Sequence, residues 1–133
     1  MSTTGIITKV SKVSFEQTYQ QLRAVIDNNP NLKIIGELDH QKNAASVDLK
    51  LNPTRIILFG NPNLGTPLMQ NAQTIGLDLP QKILVYQEED GTVKVAYNDP
   101  LYLKNRHTVT GQEAILEKIS GALNKLTGVA IAE

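Results

Sequence analysis

Two groups of residues in this sequence have the types and spacing to do chemistry. The first is the loop Gly60-Asn61-Pro62-Asn63-Leu64-Gly65-Thr66-Pro67. Its glycines, Gly60 and Gly65, are spaced as in a phosphate-binding P-loop, but Thr66 stands where that motif needs a lysine. The contact to the β- and γ-phosphates is therefore missing, and nucleotide hydrolysis is not expected. A weaker chemistry survives. Thr66 before Pro67 reads as a helix start, a hydroxyl cap followed by proline at the first helical position. The N–H groups of Leu68 and Met69 would then lie at a helix mouth, which attracts anions. A plain cap and turn accounts for the same residues, and turns outnumber ligand loops.

The second group is Asp39-His40 and Arg106-His107, which hold the only two histidines of the chain. Histidine is the usual general base and metal ligand near neutral pH. If the fold brings His40 near His107, with Asp39, Asp99 or Glu37 beside them, a proton-transfer or two-histidine carboxylate site results. There is no HxH or HExxH spacing, so the pattern has little specificity, and no metal is expected. A histidine at a helix end often acts only as a cap. Tyr86, Tyr97 and Tyr102 could line a pocket with their hydroxyls as polar handles, or form core edges or a subunit interface. Glu88-Glu89-Asp90 is too short for a calcium hand loop and reads as a solvated turn. No Gly-x-Ser-x-Gly elbow is present.

The elements that must position these residues follow from periodicity. Gly5 to Val10 is a short strand. Ser14 caps a helix with Gln17 completing a capping box, and Phe15, Tyr19, Leu22 and Ile26 form its apolar stripe. Asn28-Asn29-Pro30-Asn31 ends it. Leu32 to Leu38 is a second strand, and Asp39 caps a short helix through Val47. Ile56 to Phe59 is apolar at every position, as a strand buried on both faces would be. A helix then runs from Pro67 to about Thr74, and Leu77 to Pro80 is an extended connection. Lys82 to Gln87 and Thr92 to Tyr97 flank an acidic turn ending in Asp90-Gly91, a strong hairpin signal. In the second strand Val93, Val95 and Tyr97 share one face. Asp99 caps a helix with Pro100 in its first turn and His107 at its end. The last helix spans Gly111 to Leu126, with Thr110 and Glu113 as a capping box and Gly128 as its stop.

Totals narrow the function classes. At 133 residues the chain is a single domain, 1–133, long enough to bury a real core. It has no cysteine, so disulfides and thiolate metal sites are out, which suits the cytoplasm. Met1-Ser2-Thr3-Thr4-Gly5 has no basic flank, no stretch reaches membrane-spanning length, and no leader or membrane role is expected. Thirteen basic residues balance thirteen acidic ones without a basic run, so nucleic acid lacks its electrostatic footprint.

Two full amphipathic helices need a face to cover, and five strands supply one. The expected fold is α+β: a two-layer sandwich of a mixed five-stranded sheet with helices packed on it. Several segments, in this order, resemble the domain of unknown function 302 family. They are Asp39-His40 with Ala44; Leu58 to Pro62 with Gly65-Thr66-Pro67-Leu68-Met69; Gly76-Leu77-Asp78-Leu79-Pro80; and Tyr97-Asn98-Asp99-Pro100 ending at Arg106-His107. The resemblance covers roughly Phe15 to His107. It implies a two-layer α/β sandwich and dimerisation, and brings no activity, substrate or cofactor.

The expectation for function is a cytoplasmic homodimer that binds a small, anionic molecule. Its site would draw on Asp39, His40, Gly60, Asn61, Gly65, Thr66, Asp99, Arg106 and His107, with Arg106 pairing the anion. No cofactor is expected. The alternatives are an interaction module presenting Phe59, Leu64, Met69 and the hairpin tyrosines, and an enzyme using His40 and His107 as acid and base.

Overall fold

The structure is a computed structural model that describes residues 4–133; the part of the leader reading that rests on residues 1–3 lies outside them. In chain order the elements are β1 (Ile6–Val10), α1 (Phe15–Asp27), β2 (Lys33–Asp39), α2 (His40–Ala45), β3 (Thr54–Gly60), α3 (Pro62–Asn71), a 3-10 turn (Gln73–Leu77), β4 (Gln81–Gln87), β5 (Val93–Asn98), α4 (Pro100–His107) and α5 (Glu113–Ala130).

One sheet holds all five strands in the order β1-β5-β4-β3-β2. Every neighbouring pair is antiparallel, which corrects the expected mixed sheet. The reason lies in α1. A helix between two strands commonly returns the chain to a parallel neighbour. Here α1 instead carries the chain from one edge of the sheet to the other, so β1 and β2 run the same way without touching. The excursions through α2 and through α3 each return to the end of the sheet they left, as antiparallel neighbours require.

The two-layer α+β architecture is as expected. Alternation along the strands sends Ile57, Phe59, Ile83, Val85 and Val95 to one face, where they meet Leu22 and Ile26 of α1 and Leu116 and Leu123 of α5. Each such side chain, taken fully out of water, contributes about 1.5–3 kcal/mol. The stripe Phe15, Tyr19, Leu22 and Ile26 is buried, and Ser14 Oγ accepts from the Gln17 N–H at 3.1 Å as its cap.

Several helix boundaries depart from expectation, and α2 ends at Ala45 rather than Val47. α3 begins at Pro62, not Pro67: Asn61 Oδ1 accepts from the Asn63 N–H at 3.0 Å, and Pro62 takes the first turn. That earlier cap-and-proline pair wins, and Pro67 sits inside the helix. Its lost bond falls at the Asn63 carbonyl, early enough in the helix to be tolerated. Residues 73–77 coil into a 3-10 turn, which takes in Leu77 from the expected extended stretch. α5 starts at Glu113 without a side-chain cap and continues through Gly128 to Ala130. Gln21 of α1 explains the extension: its Nε2 donates to the Ala130 and Ala132 carbonyls, both at 2.9 Å, and so satisfies that helix end from outside.

Candidate functional site

A cavity of about 360 Å³ opens between α3 and α5 at the end of the sheet where β2 and β4 begin and β3 ends. Gly60, Asn61, Pro62, Leu64, Gly65 and Thr66 form one wall. Phe59 from β3 and Ile119, Ala122 and Leu123 from α5 form the floor and far side, and Met69, Gly76, Leu79 and Pro80 complete the enclosure. The Leu79–Pro80 peptide is cis. On the β2 side a bulge between Ile34 and Gly36 breaks the alternation. Ile34 goes to the core, while Ile35 stands 59% exposed at the mouth with Lys33 beside it. Bulges re-aim side chains in this way next to sites. The lining is apolar but for Lys33, Asn61, Thr66 and Gln81.

Two polar staples hold the walls. Asn71, the last residue of α3, donates from Nδ2 to the Thr110 carbonyl at 2.8 Å and accepts the Thr110 N–H on Oδ1 at 2.9 Å. This pair mimics a backbone ladder and ties α3 to the approach of α5. It also engages Thr110, which does not cap α5. The second staple joins the 3-10 turn to α4. His107 Nε2 lies 2.5 Å from Asp78 Oδ2, and its Nδ1 lies 2.9 Å from Thr74 Oγ1. Arg106 Nη1 donates to both Asp78 oxygens, at 2.9 and 2.8 Å. The His107 and Asp78 side chains are only 4% and 16% exposed, so solvent screens this pair far less than a surface pair. Burial pushes the Asp78 carboxyl up, but the His107 hydrogen bond and the charges of Arg106 and His107 outweigh it and hold the carboxyl below its usual value.

Of the residues singled out by type, the structure gathers Gly60, Asn61, Gly65 and Thr66 at the cavity. The anion mouth expected at Leu68 and Met69 is not formed, because their N–H groups lie within α3 rather than at its start. Arg106 and His107 stand behind the wall and are engaged by Asp78. Asp99 is the cap of α4, its Oδ1 accepting from the Leu101 N–H at 3.0 Å.

Asp39 and His40 sit at the far end of the sheet. β2 alone places about 20 Å between that end and the cavity, at roughly 3.3 Å per strand residue. His40 and His107 therefore do not meet. Asp39 caps α2 through the Lys42 N–H at 2.9 Å and lies 3.6 Å from Arg55 Nε. That guanidinium is held over Phe15 and Tyr19, 5.0 and 4.8 Å from their ring centroids, and pairs with Glu16 at 2.8 Å. Tyr19 in turn donates to Glu37 at 2.6 Å. Its phenol is shifted upward, first by burial and then by that carboxylate.

The tyrosines do not share a pocket: Tyr97 is in the core, while Tyr86 lies on the opposite sheet face. Phe59 is buried, and Leu64 and Met69 line the cavity, so these three form no outward surface. Sequence reasoning missed Lys33, Ile35, Asn71, Thr74 and Asp78. The Asp78-Leu79-Pro80 segment was visible as a unit, but nothing local marks a carboxylate whose partner is 29 residues away. Among the described residues, no three His, Asp or Glu side chains are grouped to hold a metal ion, and no helix is long and apolar enough to cross a membrane.

The family described as Domain of unknown function DUF302 matches residues 6–126. Two curated relatives are 37% identical over 105 residues, which are 79% of this chain. One is a protein of Brucella suis biovar 1 (strain 1330) named fluoride-specific ion channel FluC 1, of which 41% is covered. The other, from Brucella melitensis biotype 1 (strain ATCC 23456 / CCUG 17765 / NCTC 10094 / 16M), is named fluoride-specific ion channel FluC 2, of which 38% is covered. The chain thus spans about two fifths of the length of these relatives. The crystal structure of an uncharacterized conserved DUF302 protein from Bacillus stearothermophilus superposes with a TM-score of 0.78 over 97% of both chains at 18% identity, a likeness of fold.

Proposed function

The chain belongs to the DUF302 family, and from its cavity we propose that the protein binds one small, largely apolar molecule between α3 and α5. The observation that carries this is the enclosure itself. About 360 Å³ lies within the range of small-ligand sites, and a few polar groups, Lys33, Asn61, Thr66 and Gln81, interrupt an otherwise apolar lining. Both movable walls are pinned by side-chain staples, so the site is preorganised and loses little on binding. A fluoride pore is not carried over from the Brucella relatives, of which the chain spans about two fifths. The proposed setting is the cytoplasm, which fractionation of expressing cells checks.

Native mass spectrometry of the purified protein, followed by titration with 1-decanol, tests the reading. Ala122→Phe fills the cavity from α5. Bound mass or decanol binding that this variant abolishes supports the proposal; a wild-type chain that carries no adduct and ignores decanol removes it.

A second reading, self-association, has its own observation. Leu38, Ile56, Leu84 and Ala96 line up across β2, β3, β4 and β5 on the face away from the core. Neither α1 nor α5 covers this row, and Leu38 is exposed. Ile56 and Leu84 are half-buried and Ala96 is buried, so the exposed part of the row is its Leu38 edge. An exposed apolar edge favours a partner, and a homodimer joined through this face is the proposed assembly. Sedimentation velocity of wild type and Leu84→Lys decides it. A dimer that the lysine splits supports the face, and a wild-type monomer at micromolar concentration discards it.

A further inference from the structure

Building on the cavity reading above, we propose that the ligand is an amphiphile, an apolar body with one anionic head, and that Lys33 receives the head. Three observations converge. Lys33 is the one charged residue of the lining, which holds no carboxylate. Its ammonium has no ion pair and no hydrogen bond among the described residues, whereas two other cations at this end of the sheet are engaged: Arg106 by Asp78, and Lys82 by the Asp78 carbonyl at 3.3 Å. Ile35, two residues on from Lys33 along β2 and exposed on the same face, also lines the cavity, so that apolar surface lies beside the ammonium at the mouth.

The rest of the rim fits the same head. Asn61, which directly follows Gly60, the register partner of Lys33, has its Oδ1 spent on the Asn63 N–H and keeps its amide NH₂ to donate. A carboxylate or phosphate monoester at this rim would meet donors and one cation with no opposing carboxylate in the lining. The apolar body would lie against Leu64, Met69, Leu79 and Ile119. Recognition of the head is thus assigned to the start of β2, not to Arg106, whose guanidinium is already paired.

Calorimetric titration with decanoate and with 1-decanol separates the parts. They share an apolar chain and differ in the head. The expected result is decanoate binding about fivefold tighter than decanol, the scale of one partly exposed charge-assisted contact. Lys33→Met should abolish that preference, bringing decanoate affinity to that of decanol in the same variant, and Lys33→Arg should keep it. Equal affinity of wild type for both ligands overturns the assignment to Lys33 and leaves the cavity reading standing. Binding of neither overturns both. Co-sedimentation with phosphatidylglycerol vesicles, without any preference for decanoate over decanol, would show a bilayer headgroup contact and overturn capture of a single amphiphile.

Discussion

His107 Nε2 and Asp78 Oδ2 meet at 2.5 Å across 29 residues of chain, and the contact fixes one wall of the cavity. Gly76, Leu79 and Pro80, which line the cavity, flank the Asp78 anchor on both sides. His107 and Arg106 reach that anchor from α4, so they position the wall rather than touch the space inside it.

Acid should reveal this anchor. A carboxyl whose folded pKa is depressed adds stability above its unfolded value, about 3.9, and loses it as pH falls through the folded value. Asp78 is such a group. Urea melts should show wild type losing more stability than Asp78→Asn between about pH 5 and about pH 2. At neutral pH the variant should be about 2 kcal/mol less stable, the scale of hydrogen bonds to a charged group. Parallel pH curves for the two proteins would contradict the assignment.

The Asn71 staple should be worth about 1–2 kcal/mol, because Asn71→Ala leaves the Thr110 N–H and carbonyl without their partners. Thermal melts measure the loss. Decanol affinity should fall with it, since α3 is then free to move away from α5.

Gly65→Ala should do the opposite to stability. Gly65 sits inside α3 with no positive φ, and an added Cβ would meet only Leu79 Cδ1 at 3.7 Å, an ordinary contact. Replacing helical glycine with alanine stabilises by about 0.5–1 kcal/mol. The methyl also narrows the cavity, so a higher melting temperature should accompany weaker decanol binding. A rise in both would place the ligand elsewhere.

At the far end, Arg55 bears on the fold rather than the site. It stacks on Phe15 and Tyr19 and neutralises Glu16 and Asp39. Arg55→Met should cost about 2 kcal/mol, and Arg55→Lys should recover only part of that, since an ammonium cannot stack and bridge at once. Decanol affinity should be unchanged in both, which calorimetry checks.

Thr108 closes α4 at φ +54°, a left-handed conformation that a β-branched residue adopts at a cost. Thr108→Gly should raise stability by about 1 kcal/mol in urea melts. A loss would mean that the freedom glycine gives the unfolded chain outweighs the strain.

Much of the fold was written in local pattern. The stripe Phe15, Tyr19, Leu22 and Ile26, the Asp90-Gly91 hairpin and the Asp99-Pro100 helix start each depend on residues within a turn or two of one another, and each is present. The segment Gly60 to Thr66 stood out by its residue types, but what read as a loop is, from Pro62 on, the first part of α3, and it lines the cavity. Tertiary structure alone decided the rest. The order β1-β5-β4-β3-β2 depends on where α1 crosses the sheet, which no spacing in the sequence encodes. The end of α5 depends on Gln21, more than a hundred residues away. The two histidines are equivalent as residue types. Only the antiparallel path of β2 and β5 sends His40 to one end of the sheet and His107 to the other, where Asp78 waits. Short-range contacts are specified by neighbours in the chain; the partners of a long polar side chain are specified by packing, and packing is a property of the whole fold.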